Sequence, residues 1–251
     1  DPVIAVLIPC YNEELAIGKV VDDFRNAVPA ARIFVYDNNS TDRTAEVARQ
    51  AGAIVRCEVQ QGKGHVVRRM FADIEADVFV LVDGDDTYAA ASAPELISRL
   101  IVDSLDMVSA VRVENSKEAY RSGHRFGNKL LTGFVAWIFG SRSSDMLSGY
   151  RVFSRRFVKS FPALAKGFEI ETELTVHALE LGLPLAELPT PYKERPLGSV
   201  SKLRTYSDGI RIANTIVTLI KEERPLLFFG VLSLVLMLLG LAAGIPVVLT
   251  F

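Results

Sequence analysis

Along the first hundred residues, apolar runs without polar alternation take turns with segments whose apolar positions recur every three or four residues. Val3–Ile8, Arg32–Tyr36, Ala53–Val59, Val78–Val82 and Met107–Val111 read as strands. Runs of this kind belong to strands buried on both faces of a mainly parallel sheet. Glu13–Ala27, Thr41–Ala51, Gly64–Ile74 and Pro94–Val102 read as the intervening helices. The alternation predicts an α/β fold with a doubly wound sheet, occupying residues 1–200. Residues 201–224 keep a helical period, with Ile212, Ile216, Leu219 and Ile220 on one side and Lys202, Arg204, Arg211 and Lys221 interspersed. This segment is either an ordinary packed helix or one lying along a membrane interface. From Leu226 to Phe251 no residue is charged, and Pro225 stands where a first-turn proline opens a helix. Residues 225–251 are long enough to span a bilayer with some tilt, and Gly240, Gly244 and Pro246 are tolerated in such helices.

Composition narrows the class only slightly. The chain has 251 residues, room for one sizeable core and an appendage, and a net charge of −2, which argues against a nucleic-acid partner. Cys10 and Cys57 are too few for a disulfide framework and are expected as buried free thiols, in keeping with a reducing compartment. His65, His124 and His177 have no ligand spacing. Lys221 and Arg224 beside the apolar run favour a cytoplasmic body, with Glu222 and Glu223 weakening the signal. The chain opens on Asp1 rather than Met, so its natural N-terminus is expected to lie further upstream, and a second span can follow Phe251.

Candidate chemistry collects where predicted strands end, the edge at which open α/β sheets bind ligands. Asp83-Gly84-Asp85 closes the most apolar strand; two adjacent carboxylates call for a divalent cation, and an oxygen-only set favours Mg2+ or Mn2+. In Pro9-Cys10-Tyr11-Asn12-Glu13, Tyr11 suits a flat base and Glu13 either ribose hydroxyls or the start of a helix. In Asp37-Asn38-Asn39-Ser40-Thr41-Asp42, Ser40 or Thr41 is expected to cap the helix, leaving Asp37 for the imide N–H of a base. Gly62-Lys63-Gly64 reads as a flexible turn offering a cation to a base or phosphate, not as a Walker loop.

In order and spacing the clusters at Pro9–Glu13, Asp37–Asp42 and Asp83–Asp85 resemble the family 2 glycosyltransferases of GT-A fold. The resemblance implies inverting transfer from a UDP- or GDP-linked sugar. Pro9, Tyr11, Glu13 and Asp37 would hold the nucleoside, Lys63 and Gly64 would contribute, and Asp83, Gly84 and Asp85 would take metal and diphosphate. Asn38 departs from the second Asp of many relatives. Asp145 with Ser148-Gly149-Tyr150-Arg151, Phe168-Glu169-Ile170-Glu171, Tyr192-Lys193-Glu194-Arg195 and Ser201-Lys202 resemble the polyprenyl-phosphate branch, in which several members have a glutamine where Thr87 stands. That branch implies a polyprenyl phosphate acceptor at the cytoplasmic membrane face. A phosphate monoester is already anionic, so it needs cations to seat it more than a base to activate it. Arg112, Arg125, Arg151, Arg195 and Lys202 are the expected seats, and Glu171 suits either orienting one of them or facing the sugar. A hydroxyl acceptor and a non-catalytic nucleotide-sugar module are the alternatives. Trp137, the only tryptophan, lies outside any Gln-x-x-Arg-Trp motif of processive members.

Overall fold

The computed structural model describes residues 2–114, 133, 145–162, 164–199, 202 and 205–250; His124, Arg125, Trp137 and Ser201 lie outside them. The apolar runs form β1 (Ile4–Cys10), β2 (Arg32–Asp37), β3 (Ile54–Cys57), β4 (Val78–Leu81) and β5 (Met107–Glu114). Between them lie α1 (Ile17–Ala27), α2 (Thr44–Gln50), α3 (Lys63–Asp73) and α4 (Ala93–Val102). The second half adds β6 (Arg151–Ser154), α5 (Arg155–Ser160), α6 (Ile170–Glu180), β7 (Leu185–Tyr192), α7 (Thr205–Glu223) and α8 (Pro225–Thr250).

The strands form one sheet in the order β3-β2-β1-β4-β6-β5-β7. All pairs are parallel except those of β6, which runs antiparallel to both β4 and β5. Neither β6 nor β7 is evident in the hydropathy pattern. β6 has only four residues, and β7 contains Pro189 and Pro191, which an edge strand tolerates because it lacks a partner on one side.

Strand alternation divides the core in two. Val6, Ile8, Val80, Val82 and Val152 face α1 and α4 through Val21, Phe24 and Leu96. Leu7, Phe79, Leu81 and Phe153 face α3, α5 and α6 through Met70, Phe157 and Leu174. Each fully buried large side chain of this kind contributes about 1.5–3 kcal/mol over an exposed one. Cys10 is buried as expected, whereas Cys57 is exposed, because β3 is the other edge of the sheet.

α7 docks on this body. Ile212, Ile216 and Ile220, one stripe at helical spacing, are buried with Met146 and with Val176 of α6. α8 differs in kind: Pro225–Ile245 is long and apolar enough to cross a membrane, and none of that stretch is buried.

Candidate active site

The loops leaving β1 and β2 are laced to one another. Asn12 adopts a left-handed backbone (φ 54°), tolerated by asparagine, and its Oδ1 accepts the Thr41 N–H at 2.8 Å. Ser40 Oγ accepts from Asn12 N, and Thr44 Oγ1 accepts from Glu13 N. Neither Ser40 nor Thr41 caps α2: its N-cap is Arg43, whose side chain makes no capping bond, and Asp42 Oδ1 accepts the Thr44 N–H. Asn38 is occupied completely. Its amide donates to Glu58 O and Gln60 O, both at 2.8 Å, while its Oδ1 accepts from Gly62 N. A carboxylate at 38 lacks the donors those carbonyls require, which explains the asparagine. Among the described residues, Asp37 accepts the Ser40 N–H through Oδ2, while its buried Oδ1 has no hydrogen-bond partner.

β4 delivers the acidic tip. Asp85 is buried, and its Oδ1 accepts from the Thr87 hydroxyl at 2.6 Å and the Thr87 N–H at 3.2 Å. Thr87 thus fixes the carboxylate's orientation. Burial and the neighbouring Asp83 charge push the Asp85 carboxyl above its usual range, against the pull of Arg195. Asp83 packs against the backbone of Gly149, where any Cβ would lie 2.2 Å from its Oδ2. Gly84 passes as closely to β1, since a Cβ there would meet Cys10 Sγ at 2.6 Å. Asp86 points elsewhere, to Lys193 at 2.7 Å.

Lys63 opens α3 and bridges Asp83 Oδ1, at 2.5 Å, to Glu171 in the first turn of α6. Burial alone would lower its pKa, but Asp83 and Glu171 outweigh that and hold the ammonium protonated. The turn is closely packed. Side chains on Gly62 or Gly64 would strike the carbonyls of Lys166 and Ala165 at 2.2 Å, so both glycines serve close packing. Glu173 secures the opposing segment by accepting from Leu164 N and Ala165 N.

The segment after β7 returns over the site. Arg195 reaches Asp85 Oδ2 at 2.5 Å and Glu13 Oε1 at 3.4 Å; Lys202 Nζ donates to Asn12 O at 2.9 Å. Burial raises the Glu13 carboxyl's pKa, while Lys202 and Arg195 oppose that rise.

A cavity of about 410 Å3 results, lined by Pro9, Tyr11, Glu13, Lys63, Asp83, Gly84, Asp85, Arg195 and Lys202 among others. Phe168, which opens the Phe168-Glu169-Ile170-Glu171 segment, also lines it, as do Gln61 and Arg211, and none of the three was expected as a site residue. Arg211 is visible in the sequence only as one of several cations on a helix. Asp37, Gly64, Glu171, Arg112 and Arg151 are not among the lining residues. Arg112 forms a fork with Asp145 (2.6 and 2.7 Å) and lies over Tyr192. Arg151 corrects an expectation: its guanidinium is in the core, donating to Ser148 O, Met146 O and Thr175 Oγ1, so it is not presented to a ligand. Among the described residues no group of three or more His, Cys, Asp or Glu converges as a metal site. Asp83 and Asp85 nevertheless fit Mg2+ or Mn2+, which commonly take one or two carboxylates and complete their shell with phosphates and water.

Residues 5–160 match the family described as Glycosyl transferase family 2. Protein RfbJ of Shigella flexneri is 58% identical over 123 residues, covering 49% of this chain and 95% of that protein. A dolichyl-phosphate hexose transferase of Haloferax volcanii is 31% identical over 221 residues, covering 88% of this chain and 95% of that protein. Glucosyl-3-phosphoglycerate synthase of Mycobacterium tuberculosis, solved in complex with Mn2+, uridine-diphosphate and glucosyl-3-phosphoglycerate, matches with a TM-score of 0.71 at 25% identity, covering 88% of this chain and 80% of that one.

Proposed function

The chain belongs to glycosyltransferase family 2, has the GT-A fold and acts on nucleotide-sugars, and from that premise we propose that it transfers a hexose to a polyprenyl phosphate at the membrane surface. The observation that carries the reading is a juxtaposition. One cavity holds the Asp83–Asp85 pair and is lined on another side by Arg211 of α7, the helix that leads directly into the unburied apolar α8. The name of the Haloferax relative supports the same acceptor class.

In this reading Asp37 accepts a base N–H through its buried Oδ1, which has no partner among the described residues, Tyr11 covers the base, and Pro9 and Glu13 hold the nucleoside. Asp83 and Asp85 would hold Mg2+ or Mn2+, which would stabilise charge on the departing diphosphate. Lys202, together with Arg112, seats the acceptor phosphate. An acceptor phosphate oxygen forms the new bond to the anomeric carbon as the sugar–diphosphate bond breaks from the opposite face. The configuration inverts, the nucleoside diphosphate departs, and no base is required because the acceptor is already ionised. The domain assignment follows: residues 1–200 catalytic, 201–224 linking, and 225–251 anchoring, with the body on the cytoplasmic side.

The test offers radiolabelled UDP- and GDP-hexoses to the detergent-solubilised full chain with polyprenyl phosphate, diacylglycerol or an oligosaccharide. Label is expected in the polyprenyl phosphate product. Transfer to diacylglycerol or oligosaccharide, with none to polyprenyl phosphate, would move the chain to the hydroxyl-acceptor class.

A further inference from the structure

The two carboxylates proposed to hold the metal already have cations on them. Lys63 Nζ lies 2.5 Å from Asp83 Oδ1, and Arg195 Nη2 lies 2.5 Å from Asp85 Oδ2. Each cation also has a second carboxylate outside the pair. Lys63 contacts Glu171, and Arg195 lies 3.4 Å from Glu13. Both side chains line the cavity, and both are long enough to change partner without backbone movement.

We infer that Lys63 and Arg195 are built-in counterions of the Asp83–Asp85 pair, displaced together by the divalent cation and taken over by the donor's diphosphate. The charge balance requires this coupling. Two monovalent cations neutralise two carboxylates; one divalent cation in their place does the same and releases two positive charges into the cavity. Without a nucleotide those charges have only Glu171 and Glu13 to fall back on, and Glu13 already has Lys202 at 3.7 Å. A diphosphate supplies the missing negative charge where it is needed. Metal and nucleotide therefore bind as a coupled pair, and Arg195 serves the donor rather than the acceptor.

This rests on the metal reading above, and the experiment separates the two. Mn2+ binding to the detergent-solubilised full chain is measured by calorimetry and by electron paramagnetic resonance, alone and with saturating UDP or GDP. In the wild type the favoured nucleotide is expected to tighten Mn2+ on the order of tenfold or more. Arg195→Gln, at a half-exposed position, should bind Mn2+ alone on the order of tenfold tighter and lose most of the nucleotide-induced gain. Glu171→Gln should act oppositely on Mn2+ alone, because Lys63 then relies on Asp83 only. If Arg195→Gln tightens Mn2+ equally with and without nucleotide, Arg195 is a fixed repulsive charge and the exchange is wrong. Unchanged or weaker Mn2+ binding by Arg195→Gln overturns it too. Absence of Mn2+ binding to the wild type with either nucleotide removes the metal site and the exchange together.

Discussion

Gly149→Ala is the sharpest perturbation the structure offers, because the three atoms nearest the added methyl group all belong to one proposed metal ligand. The added Cβ would lie 2.2 Å from Asp83 Oδ2, 2.7 Å from its Cγ and 3.0 Å from Oδ1. The glycine backbone is not in the left-handed region, so alanine carries no conformational penalty of its own. Gly149 cannot easily retreat. Its N–H donates to the buried Tyr88 hydroxyl at 2.8 Å, and Ser148 Oγ is tied to Ala110 O at 2.6 Å. The Asp83 carboxylate must move instead, by roughly 1 Å, a misplacement that in active sites costs on the order of 100-fold in rate.

Stability should change little. Gly→Ala at a compatible site gains about 0.4–1 kcal/mol through the unfolded chain, which offsets local repacking. The expected result is kcat/KM lowered about 100-fold with Tm moved by less than about 4 °C, the size of a 1 kcal/mol change in a chain of this length. Transfer kinetics and thermal melting of the solubilised chain measure both. Gly209→Ala, inside α7 where a Cβ meets nothing within 4 Å, is the control: it should leave kcat/KM unchanged and hold Tm level or raise it by up to about 4 °C. If Gly149→Ala keeps kcat/KM within about threefold of wild type, the position of Asp83 does not limit transfer and the reasoning fails.

Four further outcomes follow from the same geometry. Asp37→Ala should weaken free UDP or GDP in calorimetry by about 1.5–3 kcal/mol, the worth of a hydrogen bond to a charged group; unchanged affinity puts the base elsewhere. Asn38→Asp places a carboxylate against two carbonyls and should cost about 1–3 kcal/mol or more, read as a lower urea midpoint, and an unmoved midpoint contradicts it. Burial disfavours the ionised Asp106, but its bonds from Arg156 and Ser154 outweigh that and hold its carboxyl below the usual range, so its stabilising contribution is present above about pH 4 and lost as pH falls through the depressed pKa. Arg156→Ala should therefore lower Tm near neutrality and converge with wild type in acid; a gap independent of pH refutes the linkage. Finally, carbonate-washed membranes should retain the chain through α8, and its release into the wash would show that stretch to be covered by protein instead.

What was legible in the sequence was residue type at strand tips. β1, β2 and β4 declare themselves as apolar runs, and Asp83 and Asp85 follow from where Val78–Leu81 ends. The sheet's order and edges were not legible, so Cys57 looked buried and the four-residue β6 passed unseen. The cations show the limit most clearly. Arg112, Arg151 and Arg195 look alike in the chain, each an arginine near a strand or its end. In the fold they differ through partners brought from far away: Asp145 for the first, a cage of carbonyls and a threonine hydroxyl for the second, and Asp85 and Glu13 for the third. An arginine whose donors go to Ser148 O, Met146 O and Thr175 cannot turn to a phosphate without taking the donor from two carbonyls in the core, a cost of about 1–3 kcal/mol for each. One resting on a carboxylate at a cavity wall can turn as soon as a better anion arrives. Whether a cation is available to a ligand is therefore decided by what already holds it, and that is a property of the fold rather than of the motif.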